Sequence, residues 1–210
     1  MLDVHAPHEG IHGIRDFFLH LFVITVGLLI ALGLEGMVEW RHHVHLRREA
    51  DANLRLEIED NRKDLASSMA AMPAEIKNMQ KIIIFLRIRQ SGKVVLVPKL
   101  DLGVTISTLQ DASWQTANAT GALGLMDYRQ VQRYAAVYQL QKKLDTLQDA
   151  SFAPLITLGA YLGTEHPEEI SKEDATAAIL KVHELLAHLV AIRELGAGLD
   201  KTYGDALTVK

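Results

Sequence analysis

Residues 17–34 read FFLHLFVITVGLLIALGL. The stretch is 18 residues long, carries no formal charge, and has polar side chains only at His20 and Thr25. The hydrocarbon core of a bilayer takes about 20 mostly apolar helical residues, range about 17–25. A helix of a soluble core shows polar residues every third or fourth position, and this stretch does not. A cleaved leader has about 7–15 apolar residues between a basic start and an A-x-A-like site. Here Arg15 is the one Lys or Arg before the run, the run is longer, and Ala31-Leu32-Gly33 matches such a site poorly. The reading is a membrane span, which Val38 and Trp40 extend past the interruptions at Glu35 and Glu39. Trp40 and Arg41 together fit an interfacial anchor, with the amphipathic ring at headgroup level.

Outward from this run the chain divides into a His-rich N-terminal tail (1–16), the span with its interfacial end (17–40) and a helical body (41–210). Arg15 precedes the span; Arg41, Arg47 and Arg48 follow it. The richer side of a single span faces the cytoplasm, so this balance favours a cytoplasmic body. The same arginines, beside His42, His43 and His45, form a juxtamembrane basic cluster suited to anionic headgroups, worth about 1 kcal/mol per charge.

Composition limits the function classes. With 210 residues, 49% apolar and 23% charged, the chain is not disordered throughout. The 14 Gly and 5 Pro exclude a collagen-like or linker-dominated chain. The absence of Cys excludes a disulfide framework, a thiolate zinc site, a cysteine nucleophile and an iron–sulfur cluster. A net charge of −4 lacks the basic footprint of a nucleic-acid binder.

The body reads as helices. Between Met37 and Met72 there is no Gly or Pro, and Ala50, Leu54, Ile58, Asn61, Leu65, Met69 and Met72 recur near a period of 3.6. The span is therefore expected to run into a stalk, any bend falling at Gly33 or Gly36. Pro73 is expected to end this helix or open a second one bearing Ile76, Met79, Ile83 and Leu86, which closes before Gly92. Residues 94–97, before Pro98, read as an extended connector. A third helix is expected over 104–123, with Ile106, Leu109, Ser113 and Ala117 on one side. Asp127 is positioned to cap a long fourth helix that Pro154 should kink or split. Ser171 to Asp174 resembles a capping box before the amphipathic run Ile179, Val182, Leu185, Leu186, Leu189 and Ile192. Gly196 and Gly198 are expected to stop that run, leaving a fraying tail from Leu199. The fold class expected is all-α: an N-terminal transmembrane helix, a stalk, and an antiparallel bundle of about four to five helices.

Residues 20–61 join an apolar span ending in Gly-Leu-Leu-Ile-Ala-Leu to an acidic residue beside Trp40 and a charged helix reaching Glu-Ile-x-x-Asn. Residues 113–134 lead from Ser113-Trp114 through Thr120-Gly121-Ala122-Leu123 to Tyr134. These two stretches, within a resemblance that covers about half of the chain, resemble a family of uncharacterised bacterial single-span membrane proteins with a helical soluble domain. The resemblance implies a bacterial inner-membrane protein with no assigned activity. Relatives of this type often carry a basic N-tail that places the body outside the cytoplasm, whereas the tail here is His-rich and slightly acidic. The resemblance and the arginine balance thus point to opposite sides.

Ten His is a high number, and seven lie before position 46. His5, His8, His12 and His20 share a face if a helix starts at Pro7, as interfacial rings or as a proton or metal site. Glu35, Glu39, His42 and His43 are the sharper metal candidates, because Glu39 to His42 has the Glu-x-x-His spacing of di-iron bundles. No second such motif exists, so a homodimer would have to supply it; the competing reading is helix-surface pairing. Gly27 and Ala31 form a small-xxx-small pair that permits close approach of a second span. There is no G-x-S-x-G, no H-E-x-x-H, no phosphate loop and no dinucleotide fingerprint. No enzyme activity or cofactor is expected. The expected role is a membrane-anchored scaffold, oligomerisation or partner-binding protein, with the bilayer and a second copy or another membrane protein as partners. The alternative is a membrane-proximal pH or metal sensor working through the His-rich face.

Overall fold

The computed structural model describes residues 13–93, 97, 99–163 and 166–208. It is all-helical, with four α-helices: α1 (Ile14–Gln90), α2 (Ala112–Ala119), α3 (Tyr128–Leu162) and α4 (Lys172–Leu207). Two single 3-10 turns, Ala122–Leu125 and Pro167–Glu169, join them, and no strand occurs among the described residues. The chain divides into two compact units, residues 1–48 and 49–210. In the first, the described residues from Ile14 onward belong to α1.

The second unit is built on the remainder of α1, on α3 and on α4. Arg55 Nη1 donates to the Leu207 carbonyl (3.0 Å), Arg62 pairs with Asp200 (2.7 Å), and Gln90 Nε2 donates to Thr176 (2.8 Å). Rising numbers on α1 thus meet falling numbers on α4, so the two helices are antiparallel. Tyr134 and Tyr138 of α3 bond Asp51 and Glu57 of α1, and α3 therefore runs parallel to α1. The apolar core at one end joins Met79, Ile82, Phe85 and Leu86 of α1 to Leu158 and Leu162 of α3 and to Ala175, Val182, Leu185 and Leu189 of α4. A fully buried side chain of this kind contributes about 1.5–3 kcal/mol.

The expected caps form. Asp127 Oδ1 accepts from the amides of Arg129 (2.9 Å) and Gln130 (3.3 Å), satisfying orphan donors of the first turn of α3. Ser171 Oγ accepts from the Asp174 amide (3.0 Å) and donates to the Asp174 carboxylate (2.8 Å). The short Asp side chain thus closes on the hydroxyl rather than on the backbone amide that a capping-box Glu reaches.

Four expectations need correction. Pro73 does not end α1. Its ring is exposed, so the hydrogen bond it forfeits lies on the water-facing side, while Met72 and Met79 stay buried on the opposite face. Pro154, expected to kink or split α3, lies inside it between buried Ser151 and Leu158, so the split does not occur. Gly196 does not stop α4. A Cβ there would sit 2.7 Å from Met69 Sδ and 3.5 Å from Leu65 Cδ1, so this glycine lets α4 approach α1 closely. Beyond it, Leu199, Tyr203 and Ala206 are buried in helix, not in a fraying tail. Finally, of residues 104–123 only Ala112–Ala119 is α-helical. Residues 104–111 are extended instead, held by side chains from α1 and α3. Of the expected connector at 94–97, residues 94–96 lie outside the described residues, as do His5, His8, His12 and Lys210.

Candidate functional site

In the first unit the apolar run of α1 has no inward face. Ile24 is 68% and Leu29 62% exposed, and Phe17, Phe18, Phe22, Leu32 and Leu34 are exposed as well. Two helices, α1 and α4, contain a stretch long and apolar enough to cross a membrane. The stretch in α1 is 0% buried, and that in α4 is 33% buried, as expected of a helix packed in a core. Each of the two polar side chains of the α1 run bonds back to the helix. His20 Nδ1 lies 2.8 Å from the Asp16 carbonyl, and Thr25 Oγ1 donates to the Leu21 carbonyl (2.7 Å). Bonding back to the preceding turn is how such groups avoid a bare dipole in an apolar medium. Around Gly27 nothing lies within 4 Å of a built Cβ, and Ala31 is exposed one turn on.

Arg15, Trp40, Arg41, Arg47 and Arg48 are all exposed. Of the metal candidates, the structure brings Glu39 and His43 together at 3.9 Å, an i,i+4 contact on the helix surface. His42 and His43 have ring centroids 6.3 Å apart, and Glu35 is exposed one turn before Glu39. Among the described residues no three His, Cys, Asp or Glu converge to hold a metal ion.

In the second unit, polar chemistry concentrates along residues 105–113. The part of this segment before α2 runs antiparallel to both α1 and α3, and side chains of those helices take the place of a neighbouring strand. Thr105 N donates to Glu75 (2.7 Å), Thr108 N to Asp64 (2.6 Å) and Ser113 N to Glu57 (2.7 Å). Asn61 bonds both backbone groups of Gln110, at 2.7 Å each. Gln148 does the same for Ser107, at 2.8 and 3.1 Å. Buried backbone groups must find partners, and here amide and carboxylate side chains supply them.

Where this segment turns into α2, an open pocket of about 530 Å³ forms. Its walls include Asp111, Trp114, Tyr138, Gln141, Lys142 and Asp145. Trp114 stacks on Tyr138, ring centroids 5.1 Å apart and planes 22° from parallel. The Tyr138 hydroxyl donates to Glu57 (2.7 Å), and burial beside that carboxylate pushes its pKa well up, so it remains a neutral donor. Tyr134 is similarly held by Asp51 (2.5 Å) and by Gln130, its pKa raised to about 12 chiefly by burial. Asp145 is half-buried, and its pKa is raised by burial first and then by Asp149 and Asp111.

This pocket escapes a reading by sequence pattern. Asp111 and Trp114 stand in a stretch that scans as a helix face, and Tyr138, Gln141 and Asp145 lie on a different element. The one available signal is a lone Trp in a polar stretch. No family model matches the chain, and neither a curated protein nor a solved structure matches it significantly.

Proposed function

We propose that this is a single-pass protein of the bacterial inner membrane, of the single-span type that residues 20–61 and 113–134 resemble. In this reading residues 17–40 form the span and its interfacial end, and the helical domain is a scaffold that binds a partner or a second copy. The observation that carries it is that no residue of the apolar run of α1 is buried, while its two polar side chains bond back within the helix. An apolar surface of this extent is not left to water by a soluble monomer. Trp40 and the arginines at 41, 47 and 48 fit the headgroup layer at one end of the run. Gly27 and Ala31 supply a face on which a second span can pack.

The chain has no Cys, so single introduced thiols report position cleanly. In native membranes, Leu29→Cys should resist a water-soluble maleimide until detergent is added. Val190→Cys, on the exposed surface of α4, should react from one side only, and that side gives the orientation. Ready labelling of Leu29→Cys without detergent would contradict the reading. A Gly27→Cys variant that forms disulfide-linked dimers under oxidant supports self-association of the span.

A second reading, a pH or metal sensor at the membrane surface, draws on the Glu39–His43 contact. It requires crosslinking between spans to change between about pH 5.5 and 7.5, the range in which imidazole titrates, or on addition of zinc. Invariant crosslinking would dismiss it.

A further inference from the structure

We propose that the pocket between Trp114 and Asp145 binds a small organic cation, a protonated amine carried on an apolar body. The inference does not rest on the membrane reading, since every wall of the pocket belongs to residues 109–145.

Four features of the pocket converge on that class. Its volume, about 530 Å³, falls within the range of about 300–1,000 Å³ typical of small-molecule sites. The stacked Trp114–Tyr138 pair gives it a flat aromatic wall, and a cation over such a ring is attracted by the π quadrupole. Asp145 is half-buried, yet no donor or cation among the described residues is bonded to it; Lys142, also in the wall, makes no ion pair. A carboxylate that has lost part of its water without gaining a partner is costly to hold. The fourth feature is Gln141, 3% exposed, whose Nε2 donates to the Gln110 carbonyl (3.2 Å) while its Oε1 accepts nothing. An ammonium group brings three donors and a positive charge, which is what the carboxylate lacks; the Gln141 oxygen, closed off from solvent, would have to rotate toward the pocket to accept from it.

The competing ligand classes fit less well. An anion would meet Asp111 and Asp145 against the single charge of Lys142. A metal ion would want three or more convergent ligands, which do not occur among the described residues. The groups that surround Asp145 electrostatically are Asp111, Asp149 and Tyr203, together with Lys142 of the pocket wall. A bound ammonium would draw the Asp145 carboxyl back toward its ordinary pKa, so binding should weaken as pH falls through the carboxylate range.

Titration calorimetry on the full-length protein in non-ionic detergent tests this, with 2-phenylethylamine, 2-phenylethanol and phenylacetate as matched probes and putrescine as a second amine. Saturable heat is expected from at least one amine and not from the alcohol or the acid. Asp145→Asn should weaken that binding by about tenfold or more, equivalent to about 1.4 kcal/mol. Lys142→Gln removes the competing cation from the exposed rim and should tighten it. Equal heats from all three matched probes, or saturable heat from neither amine, would overturn the proposal. So would unchanged affinity in Asp145→Asn together with unchanged affinity in Lys142→Gln.

Discussion

In residues 13–48 large apolar side chains point outward, Phe18, Ile24, Leu28 and Leu29 among them. In residues 49–208 the opposite extreme occurs, with Asn61, Ser68, Gln141 and Gln148 buried among α1, α3 and the extended segment. Within the apolar run at 17–34 the first region keeps its backbone bonds and those of His20 Nδ1 and Thr25 inside one helix and leaves its apolar surface uncovered. The second covers its apolar surface and uses buried side chains to satisfy a backbone that no helix or sheet serves. The same α-helix, α1, takes part in both, so helix formation alone does not separate them. On the proposed reading, what separates them is the medium each surface suits: hydrocarbon in the first case, a packed interior facing water in the second.

The contrast breaks most readily in the first region. Leu28→Arg places a charge in the middle of the apolar run, at a cost of about 2.5–3.5 kcal/mol for insertion. Most of the protein should then fail to float with vesicles in a density gradient. In the second region the largest effect should follow Gln148→Leu, which orphans both backbone groups of Ser107. Each buried unpaired group costs about 1–3 kcal/mol, so urea denaturation should show a loss of about 2–6 kcal/mol. Gly196→Leu forces a side chain toward Met69 and should cost about 1–3 kcal/mol by overpacking. Ser171→Ala removes the N-cap of α4 and should cost about 1 kcal/mol.

The smallest effect sharpens the comparison by its sign. The Asp145 carboxyl titrates above its ordinary value in the folded protein, so the folded state holds the proton more tightly than the unfolded one. Stability is therefore lower above that raised pKa than below the unfolded pKa. Asp145→Asn should raise Tm slightly at neutral pH and should give no gain in acid. A loss of stability at neutral pH would mean that the carboxylate has a partner and that the pocket reading is wrong.

The sequence carried the helical class and the caps because both are local. Asp127 and Ser171 each act within three residues of their own position, and the period of Leu54, Ile58, Asn61 and Leu65 is repeated along one face. The misreadings at Gly196 and at residues 104–111 involve partners remote in the chain. Gly196 looks like a helix stop until Met69 is seen against it. Residues 104–111 scan as a helix face, but Glu75, Asp64, Asn61 and Gln148, between 30 and 49 positions away, claim their backbone groups. The Trp114 pocket was hidden for the same reason, since Asp145 and Gln141 enter it from α3. The metal candidates at Glu35, Glu39, His42 and His43 illustrate the converse: helical spacing brings only Glu39 and His43 within 4 Å.

The central claim is that residues 17–34 lie in hydrocarbon. Its most direct measurement is alkaline carbonate extraction of membranes from cells expressing the intact, untagged chain, followed by mass measurement of the retained protein. The account predicts that the protein stays in the membrane pellet at full mass. Release into the wash, or recovery of a product trimmed near residue 34, would contradict it.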